Sequence, residues 1–304
     1  MASRRWVPRI ASLLSLLGCA ALAGCAAGGV SGPVPATAAS GVTADDELIA
    51  DLNDHHRHHH QGGVTMFIAL SLDSLGLPAD EQAAVTRIQA DLFTRMEPSR
   101  VAEQAVLTAL ADGVAAGAID EARVAAAITE LERASGQVHE ATVDALNQLH
   151  GVLTPAERSA LVDKVWAHWA VFQQANAEGD QAGKGSPTGQ LNDLAVELGL
   201  STDQVAKVSA GYHERMRAAP GAVDPADVDK HVKRLGEFRA DAFDARGLSG
   251  GAAANARVAG RGATAMARFY EAASPVLTPE QRTKLAASLR EHATHQDTVA
   301  VAAH

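Results

Sequence analysis

Five of the thirteen histidines, His55, His56, His58, His59 and His60, fall within six consecutive positions. Neutral imidazoles are ligands for borderline divalent ions, and zinc, nickel, copper and cobalt all accept them. The run is therefore a candidate chelating segment; the plainer reading is a solvated, weakly chelating tail. A second candidate pair, His292 and His295, is spaced at i and i+3, which on a helix sets both rings on one face. His168 occupies the position 124 residues before His292. Its neighbours Trp166, Trp169 and Phe172 favour a packing role for it.

No arrangement for catalysis accompanies these side chains. There is no Ser-His-Asp or Cys-His set, no glycine-rich phosphate loop beside a strand and no His-Glu-x-x-His helix. The expected list of catalytic residues is none, the chain is not expected to be an enzyme, and no cofactor is required. The formal net charge of −10 argues against nucleic acid as a partner.

The two cysteines, Cys19 and Cys25, belong to a different chemistry. Arg4, Arg5 and Arg9 precede an apolar run from Ile10 to Leu22, which ends on Leu22-Ala23-Gly24-Cys25. A charged, then apolar, then small-residue order is an export signal, and about a dozen apolar residues are too few to span a bilayer, which takes roughly 20. The small residues before Cys25 resemble the lipobox of bacterial lipoproteins. That implies a signal peptide at 1–24, lipidation of Cys25 and attachment to a membrane through the lipid; the simpler alternative is an ordinary signal cut nearby. A lipidated chain would face the periplasm in the cell envelope. Ala26, not aspartate, follows the cysteine, which points to the outer membrane.

These groups must be positioned by whatever follows. Residues 25–65 read as a flexible Gly, Ala, Pro, Ser and Thr tether carrying the histidine cluster. Helical periodicity then dominates. Val85, Ile88, Leu92 and Met96 recur at three or four residues, as do Val124, Ile128, Leu131, Ser135, Val138, Thr142, Leu146 and Leu149, and the second series predicts one helix of about 30 residues. No segment alternates apolar and polar residues as a half-buried strand does, so the fold class is all-α. Aromatics are only 4%, which predicts a thin, alanine-rich core.

A polar, glycine-rich stretch at 177–189 reads as a linker between a first unit at 66–176 and a second at 190–298. The flanks match. Leu75-Gly76-Leu77-Pro78-Ala79-Asp80 aligns with Leu198-Gly199-Leu200-Ser201-Thr202-Asp203 at an offset of 123, and Leu153-Thr154-Pro155-Ala156-Glu157-Arg158 with Leu277-Thr278-Pro279-Glu280-Gln281-Arg282 at 124. Two matches in the same order indicate a tandem duplication of a unit of about 110 residues.

Within these matches, Thr278-Pro279-Glu280-Gln281 has a hydroxyl at the N-cap, proline at the first helical position and a glutamine able to reach back to the cap, which is a capping box. Leu277 is placed to staple the first turn. The set Leu153, Thr154 and Glu157 and the set Leu200, Ser201 and Gln204 repeat it conservatively; Leu77 and Glu81 flank Pro78 and lack the hydroxyl.

The Leu-Thr-x-x-Gln pattern, twice per unit, resembles the Spy/CpxP family of periplasmic proteins, also called the LTxxQ family. The resemblance spans most of 66–176 and 190–297. It implies bent long-helix hairpins, here two in tandem, of a kind that dimerises into a curved cradle. It also implies either ATP-independent holding of unfolded envelope proteins or sensing of envelope stress and heavy metal, with no catalytic residues. The first expectation is an envelope chaperone, its two units forming a pseudo-dimer within one chain. The second is a metal sensor or buffer binding a divalent transition metal (Zn, Ni, Cu or Co) on the same fold. The Met66 to Leu77 stretch is read as core, with client-binding surface as the alternative.

Overall fold

The computed structural model describes residues 68, 71, 74–167, 191, 194–217, 234–248 and 250–295. The signal peptide, tether and linker expected from the sequence lie outside the described residues.

Helix α1 (Ala79–Arg95) opens with Asp80 and Glu81 in its first turn and closes with Arg95 in its last, charges that complement the helix dipole. It buries the expected stripe of Val85, Ile88 and Leu92. Pro98 has no N–H to donate, and its ring would collide with the preceding turn of a continuous helix. The chain therefore breaks at Met96 and resumes as α2 (Glu97–Ala116).

Gly117, at φ 82°, caps α2 in the left-handed conformation, and Asp120 begins α3 (Glu121–Gln137) by accepting from the Arg123 amide at 3.0 Å. This turn doubles back so tightly that a Cβ on Gly113 would lie 2.9 Å from the Ile119 Cα.

The long helix expected over 124–149 is interrupted at Val138, and the chain continues as α4 (His139–Val152). Ser135 and Gly136 stand just before the break, and Gly/Ser pairs are common sites of kinks. The apolar face runs through it unchanged, with Val124, Leu131, Ser135, Val138, Leu146 and Leu149 all buried. A further helix, α5, covers residues 155–167. Later in the chain come α6 (Thr202–Arg217), two 3-10 turns (Leu235–Arg239 and Ala245–Gly247), α7 (Ala252–Ala273) and α8 (Pro279–His295).

Helices α2 and α3 pack as a hairpin, α1 lies on α4, and α6 lies on α7. Across the chain, α8 packs on α2 and α7 on α3, so the two halves interlock. Two cores result. The larger collects α2, α3, Leu191, Leu194, Leu198, α6, α7 and α8. The smaller collects Ile68, α1, α4, α5 and residues 238–248. Where α3 crosses α7 the contact rests on small residues, Ala259, Gly260, Ala263 and Ala267, as the aromatic-poor composition anticipates. Asp112 of α2 accepts from both Arg123 of α3 and Arg290 of α8 at 2.9 and 2.8 Å, and these two guanidiniums hold its carboxyl below the usual range.

The fold is all-α, with no strand among the described residues. None of the described helices is long and apolar enough to cross a membrane.

Candidate functional site

Three helices begin with reciprocal bonds between a hydroxyl residue and the residue three further on. At α5 the Thr154 amide donates to Glu157 Oε2 at 2.8 Å and the Glu157 amide to Thr154 Oγ1 at 3.3 Å. At α6 the Ser201 amide donates to Gln204 Oε1 at 3.0 Å and the Gln204 amide to Ser201 Oγ at 3.2 Å. At α8 Thr278 and Gln281 do the same at 2.9 and 3.3 Å. Pro78, before α1, makes no side-chain cap bond. The apolar partners are inside: Leu153 and Leu277 are buried, while Leu77 and Leu200 pack at the margins of the smaller and larger cores.

The fourth residues of these motifs also meet one another. Gln204 Nε2 donates to Gln281 Oε1 at 2.8 Å and to the Val276 carbonyl at 3.0 Å, tying the start of α6 to the start of α8. At offsets of 123 and 124, the same place at the α1 and α5 starts is taken by Glu81 and Glu157. Burial, then the neighbouring Glu157 charge, holds the Glu81 carboxyl above its usual range. Glu157 is held below it by the Thr154 hydroxyl and amide. Environments that push two carboxyls apart in this way make Glu81 take up a proton before Glu157 as pH falls.

A groove bounded by α4 and α5, with α1 beneath, is the second feature. Residues 234–248 of the C-terminal half lie in it. Phe238 is fully buried, Ala245 and Leu248 are nearly so, and Phe243 packs alongside. His150 of α4 stacks on Phe243 at 4.8 Å between centroids, meets Phe238 edge-on at 5.2 Å, and places Nε2 2.7 Å from the Ala240 carbonyl oxygen. The Ala245 amide donates to Asn147 Oδ1 at 2.8 Å. Buried Arg158 reaches Asp241 at 2.9 Å. On the rim, Arg246 pairs with Glu140 at 2.7 Å and Arg239 with Asp163 at 2.5 Å, while Arg239 also lies over the Trp166 ring at 4.5 Å.

Nothing in the sequence marks this segment as a groove filler. Under the duplication expected from the sequence, an offset of 123 would set it against the end of α2 and the start of α3. Instead of a capped helical tip it forms 3-10 turns and bends. The available signal is two phenylalanines amid Gly236, Gly247, Gly250 and Gly251, residues too glycine-rich for a helix interior yet apolar enough to require cover.

Of the candidate metal ligands, His55, His56, His58, His59 and His60 lie outside the described residues, as does Cys25. His292 is half-buried on α8, and the side chain of His295 is not among those described. Among the described residues no group of three or more His, Cys, Asp or Glu side chains is gathered to hold a metal ion. His168, Trp169 and Phe172 lie outside the described residues, and Trp166 is 37% exposed. Within the Met66 to Leu77 stretch, Ile68 and Ser71 are buried.

A family model described as heavy-metal resistance matches residues 48–160, from before the histidine cluster, through α1 to α4, and into α5. No curated protein and no solved structure matches the chain. Residues 48–160, with their bent helices and the capping motif at Thr154, are similar to the heavy-metal resistance family of the Spy/CpxP-like LTxxQ group.

Proposed function

We propose that the chain is an ATP-independent chaperone of the cell envelope, without catalytic residues, that holds unfolded proteins while anchored to a membrane by a lipid on Cys25. The observation that carries this reading is the filled groove. Helices α4 and α5 accept an aromatic-bearing polypeptide segment of 3-10 turns and bends through two rings, one side-chain bond to a backbone amide and charged pairs. A surface that takes irregular chain in this way is chemically suited to unfolded clients.

The interlocked packing of α8 on α2 and α7 on α3 supports a further part of the reading, in which a duplicated unit forms its pseudo-dimer within one polypeptide. On that view the protein is a monomer on sizing, and a symmetric homodimer would count against it.

The test is light scattering of a chemically denatured client with and without the protein, with and without chelator, and beside a variant lacking His55 to His60. Suppression that survives both chelator and histidine loss supports the chaperone.

A metal buffer or sensor is the second reading. It is favoured by the heavy-metal resistance match, which includes all five clustered histidines. It expects tight, histidine-dependent binding of Zn, Ni, Cu or Co by calorimetry and no suppression of aggregation.

A further inference from the structure

Contacts between the two halves recur in pairs. Arg158 of the N-terminal half reaches Asp241 of the C-terminal half at 2.9 Å. With the roles exchanged at an offset of 124, Arg282 lies against Gly117, where an added Cβ would sit 2.5 Å from its Nη1. Gly136 faces Ala256, and its counterpart Gly260 faces Glu132, the counterpart of Ala256. Arg290 donates to Asp112 at 2.8 Å. Trp166, the counterpart of Arg290, covers Gly236, the counterpart of Asp112, where a Cβ would lie 3.2 Å from the ring.

Each contact thus occurs once in each sense. Repeats stacked head to tail would bring one residue of the first unit to another of the second without the reverse contact, whereas a twofold relation supplies both. All three pairs obey the offset of 124 that matches Leu153 with Leu277.

The paired contacts differ in chemistry. Arginine stands at both 158 and 282, so that contact is alike from either half. At the third pair, acid faces base on one side, and on the other an indole faces a residue without a side chain. Two N-terminal halves meeting in this way would set Asp112 against Trp166 twice, in the space that Gly236 leaves open. Two C-terminal halves would set Gly236 against Arg290 twice, leaving each guanidinium without its carboxylate. Charge and size at these four positions are satisfied together only when unlike halves meet.

We infer that the chain is a fused dimer of one duplicated unit whose interface has become one-way: Asp112 with Arg290, and Trp166 with Gly236, admit the other half and exclude a second copy of the same half. This rests on the pseudo-dimer reading and adds the side chains that select the partner. Each chain is thereby kept closed on itself among its own copies.

The experiment uses the full chain carrying a protease site between residues 177 and 189. It is folded, cut, unfolded in urea and refolded, and native mass spectrometry counts the pairs. Cutting removes the advantage that the connection gives to the pair within one chain. Unlike pairs are expected to exceed like pairs by about tenfold or more, and equal amounts overturn the proposal. Asp112→Gly/Arg290→Trp puts the same indole–glycine contact on both sides. Like pairs then rise towards equality, and selectivity that persists overturns the assignment to these residues.

The uncut chain gives a second measurement that needs no reassembly. Gly236→Asp builds the like-half contact, aspartate against Trp166, and lowers the thermal midpoint. Adding Trp166→Arg recreates an acid–base contact and recovers at least half of the loss. No loss in the single variant, or no recovery in the double, overturns the proposal. Sizing of the wild type separates the two levels: a symmetric homodimer ends the pseudo-dimer reading itself, whereas a monomer whose cut halves pair at random leaves that reading standing and removes the one-way interface.

Discussion

Gln204 and Gln281, 77 residues apart, share a hydrogen bond of 2.8 Å while each also serves its own helix cap. A glutamine can do both because its amide carries an acceptor for the cap backbone and two donors for the neighbour. The motif residue thus has two tasks, starting a helix and joining it to the next one. Each side chain's loss should expose both. Gln281→Ala is expected to lower stability by about 1–3 kcal/mol, and Thr278→Ala, which removes only the cap hydroxyl, by about 1 kcal/mol. Urea denaturation measures both, and equal losses would remove the argument for a joining role.

In the N-terminal half two carboxyls stand where the glutamines stand in the other. Glu81 is held above its usual range, so the stability it contributes is complete below the unfolded value and is lost as pH rises through the folded one. Glu157 is held below its range and contributes above the unfolded value, losing that as pH falls. Glu81→Gln keeps the hydrogen-bonding shape without the charge. Its thermal midpoint should match the wild type near about pH 4 and exceed it increasingly towards pH 7. A difference independent of pH would show that the Glu81 carboxyl is not held above its usual range.

The reversal at Gly117 leaves no room beside Gly113. A Cβ there meets Ile119 Cδ1 at 2.7 Å and the Ile119 backbone at 2.9 Å, and backbone cannot swing aside. Gly113→Ala is expected to cost about 1–3 kcal/mol despite alanine's better helix propensity. At Gly260 the three nearest atoms an added Cβ would meet all belong to the Glu132 side chain and none to backbone, so Gly260→Ala should cost less than Gly113→Ala, because Glu132 can change rotamer. Thermal unfolding of the two variants makes the comparison.

Tyr270 is wholly buried in the larger core, and its hydroxyl has no hydrogen-bond partner among the described residues. Burial raises its pKa above the ordinary tyrosine value. An unpaired buried hydroxyl costs about 1–3 kcal/mol, so Tyr270→Phe should raise stability by about 1 kcal/mol. A destabilised variant in denaturant titration would contradict that.

What could be read from the residues was what short range decides. Val85, Ile88 and Leu92, and Val124 through Leu149, repeat at the helical period because each helix presents one face to a core. The capping partners three residues apart follow from the geometry of a single turn. The break at Val138 escaped that reasoning, since Ser135 and Val138 both lie on the apolar face and the period passes through undisturbed. The covered groove escaped it too. Phe238 is buried by helices whose sequence is roughly 75–95 residues earlier, and no local pattern encodes such a contact. The partnership of Gln204 with Gln281 is likewise tertiary, for the matched offsets pair Gln204 with Glu81 and Gln281 with Glu157 and not with each other.

The packing of α8 on α2 has a consequence for biogenesis. A ribosome delivers α2 and α3 before α8, and Arg290 cannot reach Asp112 until the 178 residues that separate them have followed. Until then the α2 side of the larger core lacks its α8 cover. Such late, non-local closure slows folding relative to helical proteins built from neighbouring contacts. A protein with this order of assembly is itself exposed, while unfinished, to the hazards of an unfolded chain.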